Sequence, residues 1–183
     1  MYGWISIIRA YGDLGRVLQF RHFSRRTIVQ LDEDHFMTKS VRVGAMDWRD
    51  PAWAGSFYPA DMPEEWRLSF YASQFNCVFL KASEWRQAQP QELEQWGDDV
   101  HSQFVFLLEN DENLSLPTAL ADKAVMLSAE DPRIFWFDGR SDLRQLSHQI
   151  NAKVDGMDIF LISRDGGLGQ MEQVGTLLEL MGL

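Results

Sequence analysis

Short runs that are apolar almost throughout alternate with amphipathic segments from Val41 to the end of the chain. Such runs are typical of strands whose two faces are both buried. The segments between them place apolar residues three and four positions apart, as one face of a helix requires. We therefore predict five strands, each followed by a helix. The strands are predicted at residues 41–46, 77–82, 104–108, 134–137 and 158–162, and the helices at about 62–75, 90–100, 117 onward, 141 onward and 168–180.

Helix crossovers make neighbouring strands parallel, so this alternation predicts an α/β fold with a parallel sheet of about five strands and flanking helices. A complete eight-unit barrel uses about 250 residues, and this chain has 183. The sheet is therefore expected to be TIM-barrel-like but truncated or open. An open edge invites pairing, so a homodimer through an exposed sheet edge is one expectation.

Two of the helix assignments can be made more specific. Ser141 is expected to cap the fourth helix. The third helix is expected to begin near Pro117 and to turn Leu120, Ala124 and Leu127 inward, because their spacing fits a helical face.

Residues 1–36 differ from the remainder of the chain. They contain five arginines and four acidic residues, show no strand–helix unit, and are followed by a second methionine, Met37. We predict an N-terminal extension over 1–36, either not native or loosely packed, and a single α/β domain over 37–183. The alternative is an ordinary N-terminal helix around residues 4–11 that packs on the domain.

Composition argues against several classes of partner. With 27 acidic and 17 basic side chains the formal net charge is -10, which disfavours nucleic acid and anionic membranes. No apolar stretch reaches the roughly 20 residues of a membrane span, and the start lacks the features of a secretory signal. One cysteine, Cys77, permits no intrachain disulfide, so a reducing cytoplasm fits best. No histidine stands at metal-ligand spacing, so neither a metal nor a cofactor is expected.

A series of motifs begins in the first predicted strand. The chain reads Gly-Ala-Met-Asp-Trp at 44–48, Trp-Ala-Gly-Ser-Phe-Tyr-Pro at 53–59, Tyr-Ala at 71–72 and Phe-Asn-Cys-Val at 75–78. In order and spacing these residues resemble the opening of the YecE-like family, also called domain of unknown function 72. There a strand ending in Gly-Thr-Ser-Gly-Trp precedes Trp-x-Gly-x-Phe-Tyr-Pro, a helix with Tyr-Ala, and Phe-Asn-Thr-Val-Glu. The resemblance implies a TIM-barrel-like fold and a bacterial source, and the chemistry of the family is not established.

This chain departs from the family pattern at polar positions. The Thr-Ser-Gly before the first tryptophan of the family is Ala-Met-Asp at 45–47. On the second strand Phe79 and Lys81 stand where the family has polar residues. The third strand of the family usually ends with a lysine, whereas here it ends with Glu109. We therefore expect a short, divergent and non-catalytic member of the family.

The first long loop, residues 47–63, carries a candidate ligand site. Asp47, Trp48, Trp53 and Tyr58 follow the carboxyl end of the first strand, where α/β sheets and barrels place their ligands. Aromatic walls with one carboxylate suit a flat or sugar-like ligand. The alternative is that these rings plug the sheet as part of the core.

A second candidate site follows the last strand, where the chain reads Arg-Asp-Gly-Gly-Leu-Gly. Gly166 and Gly167 allow close approach of a backbone, Arg164 adds a positive charge, and the amides at the start of the next helix suit a phosphate or carboxylate. A plain turn is the alternative. Further charged residues at strand ends are Arg86, Glu109, Asp138 and Arg140.

Our leading functional hypothesis is a domain that binds a small molecule, such as an anion, or a protein partner at the aromatic edge of the sheet. The alternative is a hydrolase or phosphate-handling enzyme that uses Asp47, Arg86 and Arg164. The enzyme requires Asp47 and Arg86 to face one pocket. The binding domain requires an open cleft beside Trp48 and Trp53.

Overall fold

The computed structural model describes residues 40–110, 114–152 and 157–183. It contains a six-stranded sheet in which every neighbouring pair is parallel. The strands are β1 Val41–Met46, β2 Cys77–Leu80, β3 Val105–Glu109, β4 Ala124–Leu127, β5 Ile134–Phe137 and β6 Ile159–Ser163. The helices are α1 Glu64–Gln74, α2 Ala82–Trp85, α3 Pro90–Asp99, α4 Leu143–Asn151 and α5 Leu168–Met181.

The order of the strands is β4-β3-β2-β1-β6-β5. The last strand therefore pairs with the first, as it does in a closed barrel, with Val41 opposite Ile159 and Gly44 opposite Ile162. β4 and β5 are the two outermost strands and do not pair with each other. The sheet is thus a half-barrel flanked by helices, as the predicted truncated or open barrel requires.

The curvature of the sheet is visible in one ring contact. Phe79 of β2 and Trp136 of β5 are three strand positions apart, which on a flat sheet is about 14 Å at the usual spacing of neighbouring strands. Their ring centroids are 5.0 Å apart at an interplanar angle of 75°. The sheet therefore curls until side chains from distant strands meet across its concave face.

The predicted helix after β3 is wrong, and the sheet has six strands instead of about five. A 3-10 turn at Thr118–Leu120 is followed directly by β4. Short apolar runs satisfy both periodicities, so long-range hydrogen bonds decide between them. Here Phe106 donates its amide to the carbonyl of Lys123 at 2.8 Å, and Asn110 donates to that of Leu127 at 3.0 Å.

The cap of α4 also differs from the prediction. Its N-cap is Asp142, whose carboxylate accepts a hydrogen bond from the Arg144 amide at 2.8 Å. Ser141 instead accepts from the amide of Asp138 at 2.9 Å and closes the turn after β5. A carboxylate one residue further along provides the stronger acceptor for the first-turn amides, because it carries a charge.

Side chains of alternate strand residues form two separate apolar layers. On β2, Val78 and Leu80 join the layer between sheet and helices, whereas Cys77 and Phe79 join the concave layer. The concave layer also contains Leu107, Phe160 and Ile162, each with at most 1% of its surface exposed. The half-barrel therefore fills its own concave side with packed side chains at this level.

The connection between β4 and β5 contains no helix. Its six residues, 128–133, return to the amino end of the sheet, where Arg133 forms a two-point contact with the Asp131 carboxylate at 2.9 and 3.0 Å. The Trp136 indole nitrogen donates to the carbonyl of Ala129 at 2.8 Å and holds this connection against β5. Among the described residues no strand pairs with the free edges of β4 and β5.

Two predictions are left as they stand. The homodimer through an exposed edge remains a prediction, and the extension predicted over residues 1–36 lies outside the described residues. None of the helices in the described ranges is both long enough and apolar enough to cross a membrane.

The Cys77 thiol tests the packing of the concave layer. It is fully buried, and burial raises the pKa of the thiol above its ordinary value of 9.0. We expect Cys77 in the native chain to react with Ellman's reagent at pH 8 about a hundredfold or more slowly than in chain unfolded by guanidinium, because the reagent needs an exposed thiolate. Since the chain has one cysteine, the absorbance reports this position alone. Rapid reaction of one thiol per native chain would contradict a filled concave layer.

Candidate functional site

A cavity of about 490 Å³ opens at the carboxyl ends of the strands. We call it the mouth. Its apolar lining comes from Met46, Phe79, Ala129 and Trp136, and its charged lining from Lys81, Glu109, Glu130 and Arg164. Parallel strands collect their carboxyl ends at one edge, so residues distant in sequence meet there.

The floor of the mouth is aromatic and held in place. Phe79 and Trp136 meet edge to face across the concave side, an arrangement that favours a fixed ring orientation. The hydrogen bond from Trp136 to Ala129 satisfies the indole nitrogen. Trp136 is half-buried, so part of its ring faces the cavity.

Two of the charged residues are held by neighbouring groups. Arg164 follows β6, its amide donates to the carbonyl of Phe137 at 2.9 Å, and its guanidinium lies 5.2 Å from the centre of the Trp136 ring. Glu109 ends β3, and one carboxylate oxygen accepts from the Ala82 amide at 2.9 Å. Lys81 is exposed at the end of β2. These contacts direct a cation and a carboxylate to different parts of the mouth.

Asp47 does not line the mouth. It has φ 65°, and its amide continues the sheet by donating to the carbonyl of Phe79 at 3.0 Å. Its carboxylate accepts from the Trp48 amide at 2.7 Å and from the Arg49 side chain at 2.8 Å. The carboxylate is therefore already engaged by its own loop.

The aromatic cluster of the first loop lies in the sheet–helix layer. Trp48, Trp53 and Tyr58 are each at most 4% exposed, and the Tyr58 hydroxyl donates to the carbonyl of Trp48 at 2.6 Å. Burial raises the pKa of Tyr58. Trp53 stacks on Tyr71 with ring centroids 5.9 Å apart. These rings pack against one another as part of the core and do not line the mouth.

One edge of Trp48 reaches a different cavity. This hollow of about 560 Å³ lies between α1 and α3 on the helix side of the sheet. Arg49 covers the Trp48 ring there at 4.8 Å. Of the two rings expected to border a cleft, only Trp48 lines this cavity, and it does so with one edge.

In the glycine loop after β6, a carboxylate of the chain itself occupies the position where an anion was expected. The Asp165 carboxylate accepts from the Gly139 amide at 3.0 Å, from the Gly167 amide at 3.1 Å and from the Ser163 hydroxyl at 3.1 Å. These hydrogen bonds, with that of Gly139 the largest cause, lower the pKa of Asp165 below its usual 3.8. An external phosphate at this loop would have to displace the carboxylate of Asp165.

Gly166 has a packing role in the same loop. It has φ 62°, and a Cβ atom there would lie 2.9 Å from the Asp50 carboxylate and 3.2 Å from the Trp53 ring. The Trp53 indole nitrogen donates to the carbonyl of Gly166 at 2.9 Å. Gly166 therefore lets the last loop close over the aromatic cluster.

The last candidate, Arg86, is exposed and ends α2. Arg86 and Asp47 line neither the mouth nor the hollow between α1 and α3, so they share neither cavity. Within the described ranges, no group of three histidine, cysteine, aspartate or glutamate side chains is placed to hold a metal ion. The acid–base arrangement that the enzyme alternative requires is not formed by these two residues.

Comparison with protein families gives one match. The family described as protein of unknown function DUF72 matches residues 42–152, which is more than half of the chain. The chain belongs to the DUF72 family. The resemblance predicted from its motifs is thereby confirmed. A search of curated proteins and a search of solved structures found no match to this DUF72 chain.

The motifs that identify the DUF72 family here are structural. The Tyr71 hydroxyl accepts from the Ala45 amide at 2.8 Å and donates to the Cys77 carbonyl at 2.9 Å. The Asn76 side chain accepts from the Val43 amide at 2.9 Å. These side chains connect β1 and β2 in addition to the direct backbone pairing of the two strands. The order and spacing of these motifs therefore reflect the hydrogen bonds that join the first two strands.

Sequence reasoning placed Arg164 and Glu109 at strand ends but did not assign Lys81, Glu130 or Trp136 to a site. Lys81 follows β2 directly, so it could have been found by the same rule that selected Arg164 and Glu109, namely that α/β sheets bind ligands at the carboxyl ends of their strands. Trp136 could not, because both faces of β5 are apolar and the sequence does not reveal which face is concave. Glu130 lies in a connection that the predicted topology did not contain.

Proposed function

We propose that this DUF72 chain is a non-catalytic domain that binds a small anionic molecule with an apolar body in the mouth. One observation carries the proposal: the cations Lys81 and Arg164 line the same cavity as the aromatic floor of Phe79 and Trp136. A few charged groups above an apolar floor are typical of small-molecule sites. The size of the cavity favours a small molecule over a protein partner.

The positions of the two cations support a shared anion. β2 and β6 are both neighbours of β1, so the two strands that lead to Lys81 and Arg164 lie about 10 Å apart at the usual strand spacing. Both side chains are long enough for their charged ends to reach a common ligand across that distance. Arg164 is already oriented by the Trp136 ring, so it loses less side-chain entropy when it binds a carboxylate or phosphate.

Non-catalytic binding is supported by how three of the nearby carboxylates are used. Asp47 is engaged by Arg49, and Asp165 by backbone amides. Glu109 of the mouth accepts from the Ala82 amide. General acid–base catalysis needs a carboxyl group free to exchange a proton with a bound substrate, and these three carboxylates already accept hydrogen bonds from other groups of the protein.

Binding of two simple probes tests the proposal. We expect 4-methylbenzoate and phenyl phosphate to bind with millimolar or tighter dissociation constants in calorimetric or NMR titrations. Lys81→Gln and Arg164→Gln should each weaken binding about tenfold, the loss expected for one charge-assisted hydrogen bond. Arg140→Gln is the matched control, since Arg140 is exposed in the turn after β5 and does not line the mouth.

Two outcomes would overturn the proposal. Failure of both probes to bind would remove the anion-binding function. Equal weakening by Arg140→Gln and Arg164→Gln would show that the probes respond to overall charge instead of the mouth. Raised ionic strength should weaken binding, because Lys81 and Arg164 are both exposed and salt screens exposed charges.

A further inference from the structure

The charges around the mouth are separated by sign. Following the sheet from β3 to β6, the strand ends present Glu109, Lys81, Met46 and Arg164 in that order. Glu130 in the β4–β5 connection then lies on the open side between the outer strands. One half of the mouth, over β2, β1 and β6, is therefore cationic. The other half, over β3 and the open side, carries carboxylates.

These charges do not neutralise one another within the described part of the chain. Lys81, Glu109, Glu130 and Arg164 form no ion pair with each other or with other described side chains. In the described ranges the Arg164 guanidinium lies over the Trp136 ring, and one oxygen of Glu109 accepts a hydrogen bond from a backbone amide. Both halves of the mouth therefore keep charge available for a ligand.

We infer, resting on the proposed function, that the ligand is a zwitterion whose two charges are separated by a flat apolar body. Its carboxylate would lie between Lys81 and Arg164, and its ammonium group would face Glu109 and Glu130. The body would cover the rings of Phe79 and Trp136. A ligand of this type complements both halves of the mouth. A simple anion would instead place an apolar or negative group of the ligand against Glu109 and Glu130.

Three probes that share a benzene ring test this inference. They are 4-(aminomethyl)benzoate, which carries both charges, 4-methylbenzoate, which lacks the ammonium, and 4-methylbenzylamine, which lacks the carboxylate. We expect the zwitterion to bind at least about fivefold more tightly than 4-methylbenzoate, and the amine to bind weakest. The measurement is calorimetric or NMR titration of the full chain with each probe.

Variants assign the difference to the two carboxylates. Glu130→Gln and Glu109→Gln should each reduce the advantage of 4-(aminomethyl)benzoate and leave the affinity for 4-methylbenzoate equal or higher. Glutamine keeps an oxygen acceptor for the Ala82 amide, and thermal unfolding checks that each variant is folded. Glu94→Gln is the matched control, because Glu94 is exposed on α3 outside the mouth.

The outcomes separate this inference from the proposed function. Equal or weaker binding of the zwitterion, with 4-methylbenzoate still bound, would overturn the inference alone. An advantage that persists in both glutamine variants would overturn the assignment to Glu109 and Glu130. Absence of binding by both carboxylate probes would overturn the proposed function, and the inference with it.

Discussion

Replacing Tyr71 by phenylalanine is expected to lower the free energy of unfolding by about 2–4 kcal/mol. The Tyr71 hydroxyl is fully buried and bonds both the Ala45 amide and the Cys77 carbonyl. Phenylalanine keeps the ring but leaves two backbone groups without their partner between β1 and β2. Each buried group that loses its hydrogen bond costs about 1–3 kcal/mol. Guanidinium unfolding followed by circular dichroism measures the change.

Tyr58→Phe is the comparison for this prediction. Tyr58 is equally buried, but its hydroxyl makes only the bond donated to the Trp48 carbonyl among the described hydrogen bonds. Its loss should cost about 1 kcal/mol. If Tyr71→Phe destabilises the chain no more than Tyr58→Phe, the Tyr71 hydroxyl does not act as a bridge between the strands.

Gly44→Ala should destabilise the chain by about 3 kcal/mol or prevent folding. Gly44 lies opposite Cys77 in the β1–β2 pair, and a Cβ atom there would collide with the carbonyl oxygen of Cys77. The colliding atom belongs to the backbone, so the strain can be relieved only by separating two central strands. Denaturant unfolding again gives the change, and expression in the soluble fraction shows whether the variant folds.

Gly175→Ala is the matched control for the same substitution. Gly175 lies within α5, and a Cβ atom there has no other atom within 4 Å. Alanine favours helix over glycine, so stability should rise by about 0.5–1 kcal/mol. If Gly44→Ala changes the free energy of unfolding as little as Gly175→Ala does, the close approach of β1 and β2 does not require glycine at position 44.

The strands were largely predictable because their signal is local. The predicted bounds of β1 and β5 agree with the structure, and those of β2, β3 and β6 differ by one or two residues. Each is an apolar run bounded by polar or turn residues, a pattern that holds wherever the strand lies in the sheet. β4 failed this test because Ala124 and Leu127 also fit the helical spacing, and only pairing with β3 decides between the two structures.

The candidate site was less predictable because it depends on the direction of side chains. The sequence placed Trp48, Trp53 and Arg164 alike near the carboxyl edge, but the two rings turn into the helix layer while Arg164 lines the mouth. In strands that are apolar on both faces, no polar alternation marks the concave side. The Asp165 carboxylate in the glycine loop was likewise hidden, since its hydrogen bond to Gly139 joins two loops.

By itself the sequence determined the parallel α/β character of this chain, most of its strands and its DUF72 membership, because these are written in local periodicity and in motifs that join the first two strands. Tertiary structure alone decided that β4 is a strand, that the aromatic cluster is core, and that Lys81, Trp136 and Arg164 share a cavity. Pairing with β3 decides the first of these, and the curling of the sheet decides the other two. The curling sorts alternate side chains between a concave and a convex face and brings strand ends together that are far apart in the chain.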